Sequence, residues 1–128
     1  MELDATGKVS LEHIYTQPDP RPYFTALREL DYCITQLAKP YFADLIDDYR
    51  QTRGMPVPQV LDVGCSYGIN AALLRCEVDL DEIGARCLDP AADATPAAEV
   101  IDSDADFYAD RLQRADLRFV GLDAAPAA

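Results

Sequence analysis

Basic residues are scarce in this sequence. Eleven lysines and arginines stand against 23 aspartates and glutamates, for a net charge of -12 and a pI near 4.2. A surface that acidic repels phosphate backbones and anionic lipid heads, which argues against nucleic acid and membrane as partners. Long apolar runs are missing too. The longest, Ala71-Ala72-Leu73-Leu74, is far too short to cross a bilayer. Residues 1–10 mix charged and small residues and lack the apolar stretch of a signal peptide. Histidine occurs once, at His13, which has no visible partner and reads as a surface residue. The four cysteines, Cys33, Cys65, Cys76 and Cys87, are too widely spaced for a zinc site. Four free thiols in a reducing, cytoplasmic setting are expected.

What is present suits one folded domain. The chain has 128 residues, 49% of them hydrophobic and 27% charged, ordinary values for a globular unit with a real core. It divides into an N-terminal loop and helical segment, residues 1–54, and a second part, residues 55–128. Residues 1–20 read as an extended or loop segment, ending in the proline-rich Gln17-Pro18-Asp19-Pro20-Arg21-Pro22, with Pro22 suited to a first helical position. Tyr23, Leu27, Leu30, Ile34, Leu37 and Tyr41 then recur at steps of four and three. Together they form a stripe on one helix, able to cover one face of a sheet. Pro40 should break or kink that helix. Phe42, Leu45, Ile46 and Tyr49 continue as a second amphipathic piece, and Gly54 closes it.

Val60-Leu61-Asp62-Val63 has the composition of a strand buried on both faces. A glycine-bearing turn follows, then a helical stretch over residues 69–75 with Leu73 and Leu74 inward. Residues 76–114 hold eleven acids and three arginines and read as an acidic helical insertion, a solvated lid or edge cover. One helix is expected near residues 80–87 and one or two between 96 and 113, with Ser103 and Asp106 spaced as a capping box. Leu117-Arg118-Phe119-Val120-Gly121-Leu122 reads as a second strand, ending at Asp123.

The stretch Val60-Leu61-Asp62-Val63-Gly64-Cys65-Ser66-Tyr67-Gly68 carries the chemistry. It sets a strand, an acid at the strand's end, a turn and a helix start in order. Gly64 and Gly68 let a ligand approach the backbone, and the helix start suits an anionic group. Asp123, at the end of the next strand, is placed to accept hydrogen bonds from both hydroxyls of a ribose. Cys65 reads as a small filler with nothing nearby to activate it. A dinucleotide fingerprint from Gly64 fails, because Ser66 and Ile69 stand where glycines are needed.

This arrangement resembles motif I of class I S-adenosyl-L-methionine (SAM)-dependent methyltransferases. Asp62, Gly64 and Gly68 match, and Ser66 replaces the middle glycine. Arg118-Phe119-Val120-Gly121-Leu122-Asp123 resembles the family's second motif. The resemblance implies an α/β, Rossmann-like doubly wound parallel sheet. It also places the 64–68 loop, with Cys65, Ser66 and Tyr67, under the methionine part of SAM. Asp62 then helps anchor the amino group and Asp123 holds the ribose. Tyr67 is a candidate to lie over the cofactor or, equally, to pack on its own helix; a cluster of Tyr15, Arg21 and Tyr23 could close over the cofactor, although it suits a plain helix start better. Asp123 could alternatively cap a helix near Pro126.

On the same resemblance the chain is a SAM-binding portion that stops before the acceptor site, and is inactive alone. Its open strand edges invite self-association or pairing with a full-length enzyme. A non-catalytic interaction module and a protein for another adenosine nucleotide are the alternatives. The acceptor, expected to be small, and the catalytic base are not named by any residue present.

Overall fold

The computed structural model describes residues 3, 5–8, 10 and 12–124, apart from the side chains of Glu12, Tyr15 and Ala92. It mixes helices with a two-stranded parallel sheet, so the α/β character expected from the sequence is present. A short helix α1 (Glu12–Tyr15) precedes α2 (Arg21–Glu29) and α3 (Ile34–Arg53). Strand β1 (Gln59–Val63) follows, then α4 (Ile69–Arg75), α5 (Leu80–Cys87), α6 (Pro90–Asp93), α7 (Ala97–Asp110) and β2 (Arg118–Leu122). The 1–20 segment is therefore not wholly loop.

The stripe that reads as one helix is divided between two. Helix α2 starts at Arg21, one residue before Pro22, where the Asp19 carboxylate accepts from the Arg21 amide at 3.0 Å. It stops in a Schellman turn: Asp31 takes φ 49°, and the amides of Tyr32 and Asp31 donate to the carbonyls of Leu27 and Arg28. Asp31 tolerates the left-handed conformation that glycine usually fills. Pro40, expected to break or kink the helix, does not end it: it lies within α3, which continues to Arg53. Gly54 ends α3 at φ 58°, with Met55 and Gly54 donating back to Arg50 and Gln51.

The core lies between helices rather than against the sheet. Tyr23, Phe24 and Leu27 of α2 pack with Ile69 and Leu73 of α4, Ile83 and Cys87 of α5, and Cys76 and Val78 before α5. The acidic stretch is thus no mere solvated cover, since Val78, Ile83 and Cys87 are core residues. Burial raises the Cys87 thiol pKa to about 11. Asp79 and Glu82 form the capping box of α5. The one expected at Ser103 does not form, because α7 runs straight through that residue. Arg86 and Arg111 flank the Phe107 ring, their guanidinium carbons 4.0 and 3.8 Å from its centroid. The two ends of the stretch meet where Gln113 and Arg114 donate to the Arg75 carbonyl.

Strands β1 and β2 pair in parallel, Val60 beside Phe119 and Asp62 beside Gly121. Only one sheet face is covered. Val60, Asp62 and Phe119 are half-buried, while Leu61 and Val63 are 60% and 71% exposed. Val120 and Leu122 are exposed on that same side. The expectation of a strand buried on both faces therefore fails for this chain: its helices pack on one side. Among the described residues no helix is long and apolar enough to cross a membrane.

Candidate functional site

The turn after β1 owes its shape to three left-handed residues. Gly64, Ser66 and Gly68 have φ of 73°, 48° and 78°. A Cβ built on Gly64 or Gly68 would meet no atom within 4 Å, so backbone conformation, not crowding, is what asks for glycine there. Ser66, standing where the resembled motif has glycine, carries the strain of a left-handed non-glycine residue.

Strand β2 holds this turn. The Gly64 and Cys65 amides both donate to the Leu122 carbonyl, at 2.7 and 3.4 Å, and the Gly68 amide donates to Cys65 at 2.8 Å. Asp123 joins the same network: its Oδ2 accepts from the Ser66 amide at 2.7 Å. The two acid-bearing strand ends are thus brought together across the turn. Pro126, the other expected role for Asp123, lies outside the described residues.

Asp62 lies beneath the turn. Its Oδ1 accepts from Asn70 Nδ2 of α4 at 3.3 Å. Its Oδ2 is buried with no hydrogen-bond partner among the described residues, and so is Ser66 Oγ. Such atoms are costly to leave unmatched, about 1–3 kcal/mol each. Beside Asp62 is a hollow of about 200 Å³, lined by Val60, Leu74, Phe119 and Asn70, with Phe42, Leu45 and Ile46 of α3 across from them.

Cys65 fits the filler reading. Burial, with the Asp123 and Asp62 carboxylates adding to it, pushes its thiol pKa up, the opposite of what a nucleophile needs. Its sulfur sits against Gly121, where an added Cβ would lie only 2.7 Å away. Sequence reasoning assigned Gly121 no role, though a glycine inside a strand is a signal of close approach.

Tyr67 does not lie over the turn. Its ring packs on Tyr23 and Phe24, at centroid distances of 4.9 and 6.3 Å. Its hydroxyl is within hydrogen-bonding reach of the Ile14 and Gln17 carbonyls. Burial, then the nearby Asp19 carboxylate, raises the hydroxyl's pKa. Tyr67 thereby anchors the N-terminal segment to the core. Arg21 is turned the other way, pairing with Asp19 at 2.6 Å and donating to the Thr95 carbonyl at 2.9 Å. Tyr23 is a core residue, and the Tyr15 side chain lies outside the described residues. A closing cluster over the turn is not what Arg21 and Tyr23 form. Comparison of the chain with protein-family models, with curated proteins and with solved structures finds no match.

Proposed function

We propose that this chain is the SAM-binding portion of a methyltransferase acting on a small acceptor, and that its sheet is part of a Rossmann-like doubly wound fold. The observation that carries the reading is the pair of orphaned polar atoms, Asp62 Oδ2 and Ser66 Oγ, at a left-handed turn between a parallel strand and a helix. An ammonium group satisfies a bare carboxylate oxygen, and SAM offers one in its methionine moiety. Asp62 would orient that group, with Asn70 holding the carboxylate's other oxygen. Asp123 would receive the ribose. Its bond to the Ser66 amide gives it a second task, holding the turn that carries Ser66. Gly64 and Gly68 would lie under the methionine with Cys65 beneath the turn, and Tyr67 would act only by anchoring the segment before α2. SAM supplies an already activated methyl group. What the protein must add is positioning, and a base where the acceptor carries a proton.

Calorimetric titration with SAM tests this. Binding should weaken by about 1.5–3 kcal/mol in Asp62→Asn, which removes the charge and keeps the shape. Undiminished affinity in that variant would overturn the assignment of Asp62. Absence of any binding by the wild-type chain would overturn the reading as a whole. With labelled SAM and a panel of acceptors, no turnover is expected from this chain alone.

A second reading, a non-catalytic interaction module, is favoured by a different observation: the apolar side chains left exposed on α3 and on one sheet face. Another adenosine nucleotide in place of SAM is a competitor ligand in the same titration.

A further inference from the structure

The hollow between α3, α4 and the sheet is mainly apolar, with one bare negative oxygen among its lining residues. Phe42, Leu45 and Ile46 stand across from Val60, Leu74 and Phe119. Its polar side chains are Asp62 and Asn70. Asn70 Nδ2 donates to Asp62 Oδ1 at 3.3 Å, which leaves Asp62 Oδ2 buried and without a hydrogen-bond partner among the described residues. No lysine or arginine lines this hollow, so the carboxylate has no counter-charge in it. Two larger clefts differ. One of about 400 Å³, between α2 and α5, sets Arg28 beside Asp31 and Asp81. Another of about 380 Å³, between α3 and the segment before α5, sets Lys39 and Arg114 beside Glu77, Asp79 and Glu82. Among the described residues, neither is lined by a side chain with an orphaned buried polar atom.

We propose that the hollow beside Asp62 binds a small apolar amine in its charged form, an alkyl- or arylalkylammonium ion. The orphaned oxygen calls for an N–H donor, and a positively charged donor makes the stronger bond. A quaternary ammonium has no such donor, so the ligand keeps at least one N–H. The walls ask for the rest of the ligand to be apolar, and the Phe42 and Phe119 rings suit a cation or an aryl group. A water would match the oxygen and leave the apolar walls wet; an ammonium bearing an apolar group satisfies both. Size limits the ligand to one ring or a short chain. The hollow holds about 200 Å³, less than the roughly 300–1,000 Å³ of sites for drug-sized molecules. Phe42 and Leu45 are 42% and 64% exposed, which leaves a way in along α3. A net charge of -12 draws cations toward the protein. In the function proposed above, Asp62 also takes the ammonium group of SAM. A small amine then excludes SAM from Asp62, and this competition alone rests on the SAM reading.

Benzylammonium chloride titrated into the whole chain, followed by backbone amide shifts in NMR, tests the site directly. Saturable shifts are expected at Val60, Asp62, Asn70, Leu74 and Phe119. Benzyl alcohol, of similar shape without the charge, should bind at least about tenfold more weakly. Asp62→Asn should weaken benzylammonium by a similar factor, and Phe42→Ala by about threefold, with circular dichroism unchanged in both. The two ligands are compared on the wild-type chain, so that result stands even where a variant fails to fold. Benzyl alcohol binding as tightly as benzylammonium would overturn the proposal. So would shifts confined to the cleft between α2 and α5, or no saturable shift at all; SAM binding in that case leaves the SAM reading intact. Where benzylammonium binds as expected but SAM neither binds nor displaces it, the amine site stands and the SAM reading falls.

Discussion

Helices α2 and α3 share one apolar periodicity and meet opposite fates. In α2 the stripe faces the protein: Tyr23, Phe24, Ala26 and Leu27 are buried. In α3, after the turn at Asp31, Ile34, Leu37 and Tyr41 face water, and the half-buried side mixes Gln36, Lys39, Asp47 and Arg50 with Ala43 and Ile46. Periodicity reports that a helix has an apolar side; it does not say what covers that side. The same contrast divides the molecule. One region, around α2, α4 and α5, is held by apolar packing. The flank formed by α3 and the sheet is held by ion pairs and a parallel ladder, with apolar surface to spare.

The sharpest way to break this comparison is one substitution on each helix. Leu27→Ala, at a position 7% exposed, should cost about 2–5 kcal/mol in urea unfolding. Leu37→Ala, at a position 65% exposed, should cost within about 0.5 kcal/mol when measured dilute. Equal costs would mean that α3 is buried in the single chain after all.

A smaller effect is expected where the sheet meets the turn. Gly121→Ala drives a methyl into Cys65 Sγ, 2.7 Å from the new Cβ, and should cost about 1–3 kcal/mol. Adding Cys65→Ala removes the sulfur and should recover part of the loss. If Gly121→Ala is neutral, the turn is looser than the packed contact implies.

On the flank, Arg114→Ala removes the 2.7 Å pair with Asp47 and should cost at most about 1 kcal/mol, since both groups retain access to water. Hydrogen exchange should locate the loss in α3, leaving α2 and α4 unchanged. Uniform loss across all helices would show that the flank and the core open as one unit.

The smallest effect concerns acid. The Arg21 side chain, bonded to Asp19, holds the Asp19 carboxyl below its ordinary range. A carboxyl whose folded pKa is depressed contributes stability above its unfolded value near pH 4, and loses it as pH falls through the lower folded value. Asp19→Asn should therefore flatten the stability curve below pH 4 by a few tenths of a kcal/mol and leave neutral pH with a small constant loss. An acid limb identical in wild type and variant would assign that limb to other carboxylates.

Much of the local structure was legible. The β-branched run at Val60, the helical stretch near residues 80–87 and Gly54 after α3 each depend on neighbours a few residues away, so strand, helix and stop could be read directly, whereas the capping box of α5 at Asp79 and Glu82 was not. The candidate turn was legible for the same reason, since strand, acid and glycines are contiguous. Other features were not. Asp31 stops α2 because the chain there can close a Schellman turn, a conformation that aspartate tolerates without announcing it. Pro40 is carried inside α3. Tyr67, five residues from Asp62, reaches back some fifty residues to Ile14 and Gln17, and no local pattern encodes such a partner.

Sequence alone settled the charge, the position of both strands and the order strand, acid, turn, helix, because these depend on residue chemistry and short-range backbone preference. Tertiary packing chose which side of each apolar element was covered. Burial is a competition among all apolar surfaces for the same limited interior, and in this chain α2, α4 and α5 fill that interior together. Much of the apolar surface of α3 and of one sheet face remains exposed.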